Sequence, residues 1–246
     1  MTATKRRSSL AMRDVAILRF SATEGPAYFA HWLDTQGIGW QLIAVDEGVA
    51  MPTDSRAYAG IGMMGGPMGV NDALPWIAPA CALLRHAVAA EVPVIGHCLG
   101  GQLLAKALGA PVMRASTAEI GWMEVEVPAA AAQRDWFGGR VRFETFQWHF
   151  DAFALPAGAT RVLTNHVNEN QGYVIDDRHI GLQCHIEMTS ELVSTWLRTG
   201  AEELPNVSTP SEQSAEDIRR DLDARLASLH AVAGDVYAHW AQRLRR

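Results

Sequence analysis

The chain has 246 residues, 48% hydrophobic and 20% charged, with a net charge of -6. That length allows one large core, and the negative balance leaves no electrostatic footprint for nucleic acid or an anionic membrane. No apolar run is long enough to span a bilayer, and the first ten residues lack the core of a signal peptide.

Cys81, Cys98 and Cys184 form an odd set without CxxC spacing. This argues against a disulfide framework or a structural zinc site and fits a reducing cytoplasm. Lys5-Arg6-Arg7 reads as a solvated terminal cluster.

In chain order, residues 15–20 are a first apolar strand, and Gly25-Pro26 opens a helix over 27–35 that Gly37 closes. Residues 40–45 are a second strand and 46–56 a polar loop. Residues 58–64 are a third strand without alternation, so it is buried on both faces, and it runs into Gly65-Gly66-Pro67. A helix over 76–90 leads to the strand before Cys98. Strands alternating with crossover helices predict an open, mostly parallel α/β sheet with helices on both faces.

Beyond Gly109 the texture changes. Residues 121–127 and 140–147 alternate as half-exposed antiparallel strands do, with a loop over 128–139 between them. Short strands follow at 161–165, 172–175 and 179–184, then a helix over 189–198. A polar linker (202–211) precedes one long amphipathic helix over 215–244, whose stripe is Ile218, Leu222, Leu226, Leu229, Val232 and Val236. The division expected is a domain over 1–200 and an appendage over 201–246. The terminal helix either packs on the domain or forms a homo-oligomer interface.

The centre of this arrangement is Gly96-His97-Cys98-Leu99-Gly100-Gly101-Gln102. A strand that turns sharply through glycines into a helix holds a nucleophile at the tip of a parallel sheet. The helix N-terminus favours a thiolate there. A cysteine nucleophile needs a base and a group that orients the base. His185 ends a predicted strand, and Glu187, two residues on, points the same way, which is the division of labour of a Ser-His-Asp triad. The Leu99 N–H and the loop at Gly65-Gly66 are candidates for the two donors of an oxyanion hole.

These segments, with Trp148-His149-Phe150-Asp151, together resemble the class I glutamine amidotransferases, and most closely stand-alone proteins similar to the amidotransferase domain of GMP synthase. The resemblance runs over residues 15–198. It implies a flavodoxin-like core and a thioester between Cys98 and a γ-glutamyl carbonyl, with His185 moving protons and Glu187 orienting it. It also implies an oxyanion hole of Gly66 and Leu99, with Gly65 shaping the loop. Gln102, Trp148, Phe150 and Asp151 would grip the amino-acid end of the substrate, while His149 reads equally as a structural histidine. The family usually has an aromatic residue, proline and glycine where this sequence has Cys184, Ile186 and Phe150.

No metal or other cofactor is implied. The substrate expected is glutamine or another γ-glutamyl amide. After residue 198 there is too little chain for a synthetase domain and no P-loop glycine pattern, so the protein either hydrolyses the amide alone or serves a separate synthetase subunit. One rival is an α/β-hydrolase of the dienelactone hydrolase kind, which would pair Asp151 or Asp176 with His185. The other is a catalytically silent, regulatory member of the amidotransferase fold.

Overall fold

A computed structural model describes residues 13–132 and 135–245; the Lys5-Arg6-Arg7 cluster lies outside the described residues. The chain begins with β1 (Val15–Arg19), α1 (Ala27–Thr35), β2 (Trp40–Ala44), β3 (Gly60–Met63), α2 (Ile77–Ala89), β4 (Val94–His97) and α3 (Leu99–Ala107). A long hairpin of β5 (Val112–Glu126) and β6 (Arg142–Phe153) follows, with a short α4 (Ala129–Ala132) between its strands. Then come β7 (Thr160–Leu163), β8 (Gly172–Ile175), β9 (His179–Leu182), α5 (Ser190–Thr199), α6 (Ala215–Arg219) and α7 (Leu222–Ala241).

Seven strands form one sheet in the order β2-β1-β3-β4-β9-β8-β7. β2, β1, β3, β4 and β9 are mutually parallel, and β8 runs antiparallel to both of its neighbours. The short central strands are buried on both faces, which explains their continuous apolar reading. One core layer packs α2 and α3 on one face; the other packs α1, α5, α7 and the β5–β6 hairpin on the opposite face. Among the described residues no helix is long and apolar enough to cross a membrane.

Two expected boundaries move. The hairpin strands are longer than their alternation suggests, because β5 starts at Val112 and carries a register irregularity between Arg114 and Glu119. The terminal helix is two helices. Arg220 is extended and Asp221 left-handed (φ 55°), so α6 ends and α7 begins anew.

α7 packs on α1, α5 and β6. Leu226, Leu229, Val232 and Val236 of its stripe are buried, as is Ile218 on α6. The surface that the sequence offers to a second copy is therefore spent inside the chain. Tyr237 and Trp240 are buried completely, and Gly60 on β3 makes room for them: a Cβ there would lie 2.8 Å from the Trp240 ring and 2.6 Å from Leu244.

The parallel pair β4–β9 brings His97 opposite Leu182, so the residues after them, Cys98 and Gln183, emerge side by side. α3 starts against the ends of β3 and β9, and only glycines fit. A Cβ on Gly100 would sit 2.4 Å from the Met63 carbonyl oxygen, and one on Gly101 2.5 Å from that of Leu182. Gly100→Ala must therefore push α3 off the sheet, at an expected cost of about 3 kcal/mol or more. Gly25→Ala meets nothing within 4 Å and should change stability by less than about 1 kcal/mol. Urea unfolding midpoints of the two variants test this contrast.

Candidate active site

Cys98 sits at φ 47° and ψ -106°, outside the helix that it precedes. Such a backbone costs on the order of 1–3 kcal/mol and persists only where its surroundings enforce it. Here the Cys98 N–H donates to the Leu182 carbonyl at 2.8 Å, and a Cβ on Gly96 would lie 2.4 Å from the Gly100 carbonyl carbon. The result is a side chain held at the C-terminal end of the parallel strands, where ligands of open α/β sheets bind.

His185 and Glu187 follow β9 on a segment fastened from several sides. The His185 N–H donates to the Phe146 carbonyl at 2.8 Å, and the Glu187 carbonyl accepts from the Tyr28 N–H at 3.0 Å. His230 Nε2 contacts the Met188 carbonyl at 2.8 Å. His185 Nδ1 meets Glu187 Oε1 at 2.6 Å. With Nδ1 engaged by Glu187, the ring nitrogen left to serve Cys98 is Nε2. Trp196 of α5 stands edge-on to the imidazole, 4.7 Å between centroids at 83°.

Burial opposes a charge on His185, but the Glu187 carboxylate and Cys98 outweigh it and hold the imidazole well above its ordinary value. Burial likewise opposes ionisation of Glu187, yet His185 and His97 keep the carboxyl below its ordinary value. Proximity to Glu187 therefore favours imidazolium at His185. Burial pushes the Cys184 thiol up to about 12, so it fills the core as an inert thiol. With Ile186 between them, fully buried, the histidine and glutamate still meet.

Behind the carboxylate lies a partner that the sequence does not announce. His97 Nε2 is 3.2 Å from the Tyr237 hydroxyl of α7 and 3.9 Å from Glu187 Oε2. Burial lowers the His97 pKa, and Glu187 works against that by raising it.

A cleft of about 470 Å³ opens over Cys98. Gly66, Gln102, Trp148, Phe150 and Asp151 line it, while Gly65, Leu99, His185 and Glu187 stand behind its surface. The N–H groups of Gly66 and Leu99 have no acceptor among the described residues. Gln102 donates to the Asp151 carbonyl at 3.2 Å and to Gln183 Oε1 at 3.3 Å. Gln183, given no role from sequence, donates through Nε2 toward Cys98 Sγ at 3.6 Å. Phe150 lies under the Arg114 guanidinium, 4.6 Å from its ring centre, and Arg114 Nη1 is 3.9 Å from Asp151 Oδ1.

Trp148 points to a different wall. Its indole N–H donates to Glu203 Oε2 at 2.6 Å, and its ring packs edge-on to Trp196. His149 belongs chiefly to a buried network: Nδ1 contacts the Asp151 carbonyl at 3.0 Å and Nε2 lies 3.1 Å from Glu119 Oε2. Glu119 in turn accepts from Asn165 and Gln171, and Gln171 from Gln147. A buried carboxylate with that many donors is the structural core of the hairpin attachment.

The order required by the dienelactone hydrolase reading is not met, because Glu187 occupies the His185 ring nitrogen that an aspartate would need. Asp176 lies in the β8–β9 turn. Among the described residues no three His, Cys, Asp or Glu side chains are grouped to hold a metal ion.

Comparison with known proteins shows the family to which this fold belongs. Residues 31–201 match the family model for class-I glutamine amidotransferases. A glutamine amidotransferase crystal structure from Methylobacillus flagellatus superposes with a TM-score of 0.93 at 44% identity, covering 96% of this chain and 97% of that one. The glutamine-hydrolysing GMP synthase of Aeropyrum pernix is 30% identical over 191 residues, 72% of this chain but only 35% of that protein. γ-Glutamyl peptidase 4 of Arabidopsis thaliana is 25% identical over 172 residues, 67% of this chain and 68% of the peptidase. The matched span contains the cysteine elbow, the glycine loop and the histidine–glutamate pair, and the chain belongs to the class-I glutamine amidotransferase family.

Proposed function

We propose that the protein hydrolyses γ-glutamyl amides, glutamine or γ-glutamyl peptides, through a thioester on Cys98. The observation that carries this reading is the His185–Glu187 pair, 2.6 Å between Nδ1 and Oε1, set directly behind the open cleft that Cys98 lines. Sγ attacks the γ-carbonyl, and the oxyanion is held by the Gly66 and Leu99 N–H groups, each worth a few kcal/mol in such a setting. The carbon–nitrogen bond breaks as His185 hands its proton to the departing amine. Water, deprotonated by His185, then opens the thioester and releases glutamate and the free thiol. Gln102 and the backbone near Asp151 hold the amino-acid end.

The name of the Arabidopsis relative supports a peptidase-type substrate. The chain's match to 35% of the GMP synthase supports a second reading, in which ammonia passes to a separate synthetase subunit. The test is incubation with an electrophilic glutamine analogue, followed by intact mass and peptide mapping, alongside glutamate release from a γ-glutamyl panel. A single adduct on Cys98 with glutamate release is expected. No adduct and no release, alone or with cell extract, would return the protein to the silent class of its fold. Release that rises only on adding extract would favour the synthetase reading.

A further inference from the structure

Glu24 has no place in the thioester machinery, yet it lines the same cleft. It sits in the loop between β1 and α1, and its carboxylate has no hydrogen-bond partner among the described residues. Its position is fixed by Gly65: a Cβ on that residue would lie 2.6 Å from Glu24 Oε2 and 3.0 Å from His185 Cε1. Glu24 therefore stands beside the imidazole, and the positive charge that acts on it is the one His185 carries when protonated. Arg114, the cation lining the cleft, is with Phe150 and Asp151 on the amino-acid side.

The wall around Glu24 is built for a particular kind of guest. The Trp196 indole N–H donates to the Thr23 carbonyl at 2.9 Å, which anchors the Glu24 loop to α5. Trp196 packs edge-on to Trp148, and Trp148 is tied to Glu203 at the rim. The sequence of groups outward from His185 is thus carboxylate and indole, then indole and carboxylate. Aromatic faces and carboxylates together favour an organic cation and offer nothing to an anion.

We propose that this wall is the leaving-group subsite and that Glu24 selects γ-glutamyl amides whose departing amine carries a second positive charge, such as a mono-γ-glutamyl alkyl diamine. The inference rests on the thioester reading, which places the departing nitrogen next to His185 and hence next to Glu24. A carboxylate recessed in the cleft wall without a hydrogen-bond partner is costly. Burial pushes the Glu24 pKa up to about 8, with His185 lowering it and Glu187 raising it. A bound ammonium would add a second counter-charge to the one that His185 lends, which Glu187 already shares.

The experiment compares the mono-γ-glutamyl amide of 1,4-diaminobutane with the γ-glutamyl amide of n-pentylamine, which replaces the second ammonium with a methyl group. The expected kcat/KM ratio for the native enzyme is about tenfold or more in favour of the cationic amide. In Glu24→Gln that ratio should fall toward one. Equal turnover of the two amides by the native enzyme would overturn the proposal, whatever the variant does. An unchanged ratio in a folded Glu24→Gln variant would also overturn Glu24 as the selector. Glutamine serves as the reference: if it and the pentylamide are cleaved without charge preference, only this inference fails. If no γ-glutamyl amide is cleaved, the thioester reading fails with it.

Discussion

Cys98→Ala is expected to lower glutamate release by at least about 10⁴-fold while leaving the fold intact. Removing the nucleophile of such a unit leaves only binding and the oxyanion donors, which act on a reaction with no attacking group. Stability should change little, because alanine bears the same backbone strain at φ 47° that cysteine does, and the Leu182 carbonyl still accepts from the residue 98 N–H. Gln183 loses only a sulfur acceptor at 3.6 Å. Steady-state release from glutamine, with thermal unfolding as control, measures both halves of the expectation. Residual activity within tenfold of native would mean that the thiol is not the attacking atom.

Glu187→Gln should be nearly as damaging, by about 10³–10⁴-fold in kcat, although the substitution keeps the shape. An amide at 187 no longer stabilises the imidazolium. What remains strongest is burial, which lowers the His185 pKa. The sign follows directly: the native ring stays protonated to higher pH than ordinary histidine, and in the variant it gives up its proton at lower pH. NMR titration of His185 in the two proteins should show that downward move. A variant with native kcat and an unmoved His185 would remove Glu187 from the mechanism.

How much of this was legible depends on how local each signal is. The elbow glycines at 96, 100 and 101 are read from sequence because a strand that turns into a helix within four residues leaves no room for other side chains, and the 2.4–2.5 Å approaches bear that out. The alternating α/β reading held because each central strand is short, apolar and bounded by turns.

The break at Arg220–Asp221 was illegible, since neither proline nor glycine marks it and the apolar spacing runs through it unaltered. The first half of β5 was missed because its polar residues 114–119 read as loop. Glu24, in a polar run before Gly25-Pro26, reads as a solvated loop residue; only the approach of the segment after β9 encloses it. Gln183 lies two residues before His185, but its reach to sulfur depends on β9 lying parallel to β4, a pairing between residues 85 apart. The His97–Tyr237 contact spans 140 residues and is invisible to any local pattern.

That last contact bears on the order in which the enzyme becomes finished. A ribosome delivers α7 after every strand of the sheet, at about 5–20 residues per second. Until α7 arrives, the notch at Gly60 is unfilled and His97, the residue just before the nucleophile, lacks its Tyr237 partner. The nascent chain can therefore pair its strands well before the back of its cysteine elbow is closed, and that closure waits for α7.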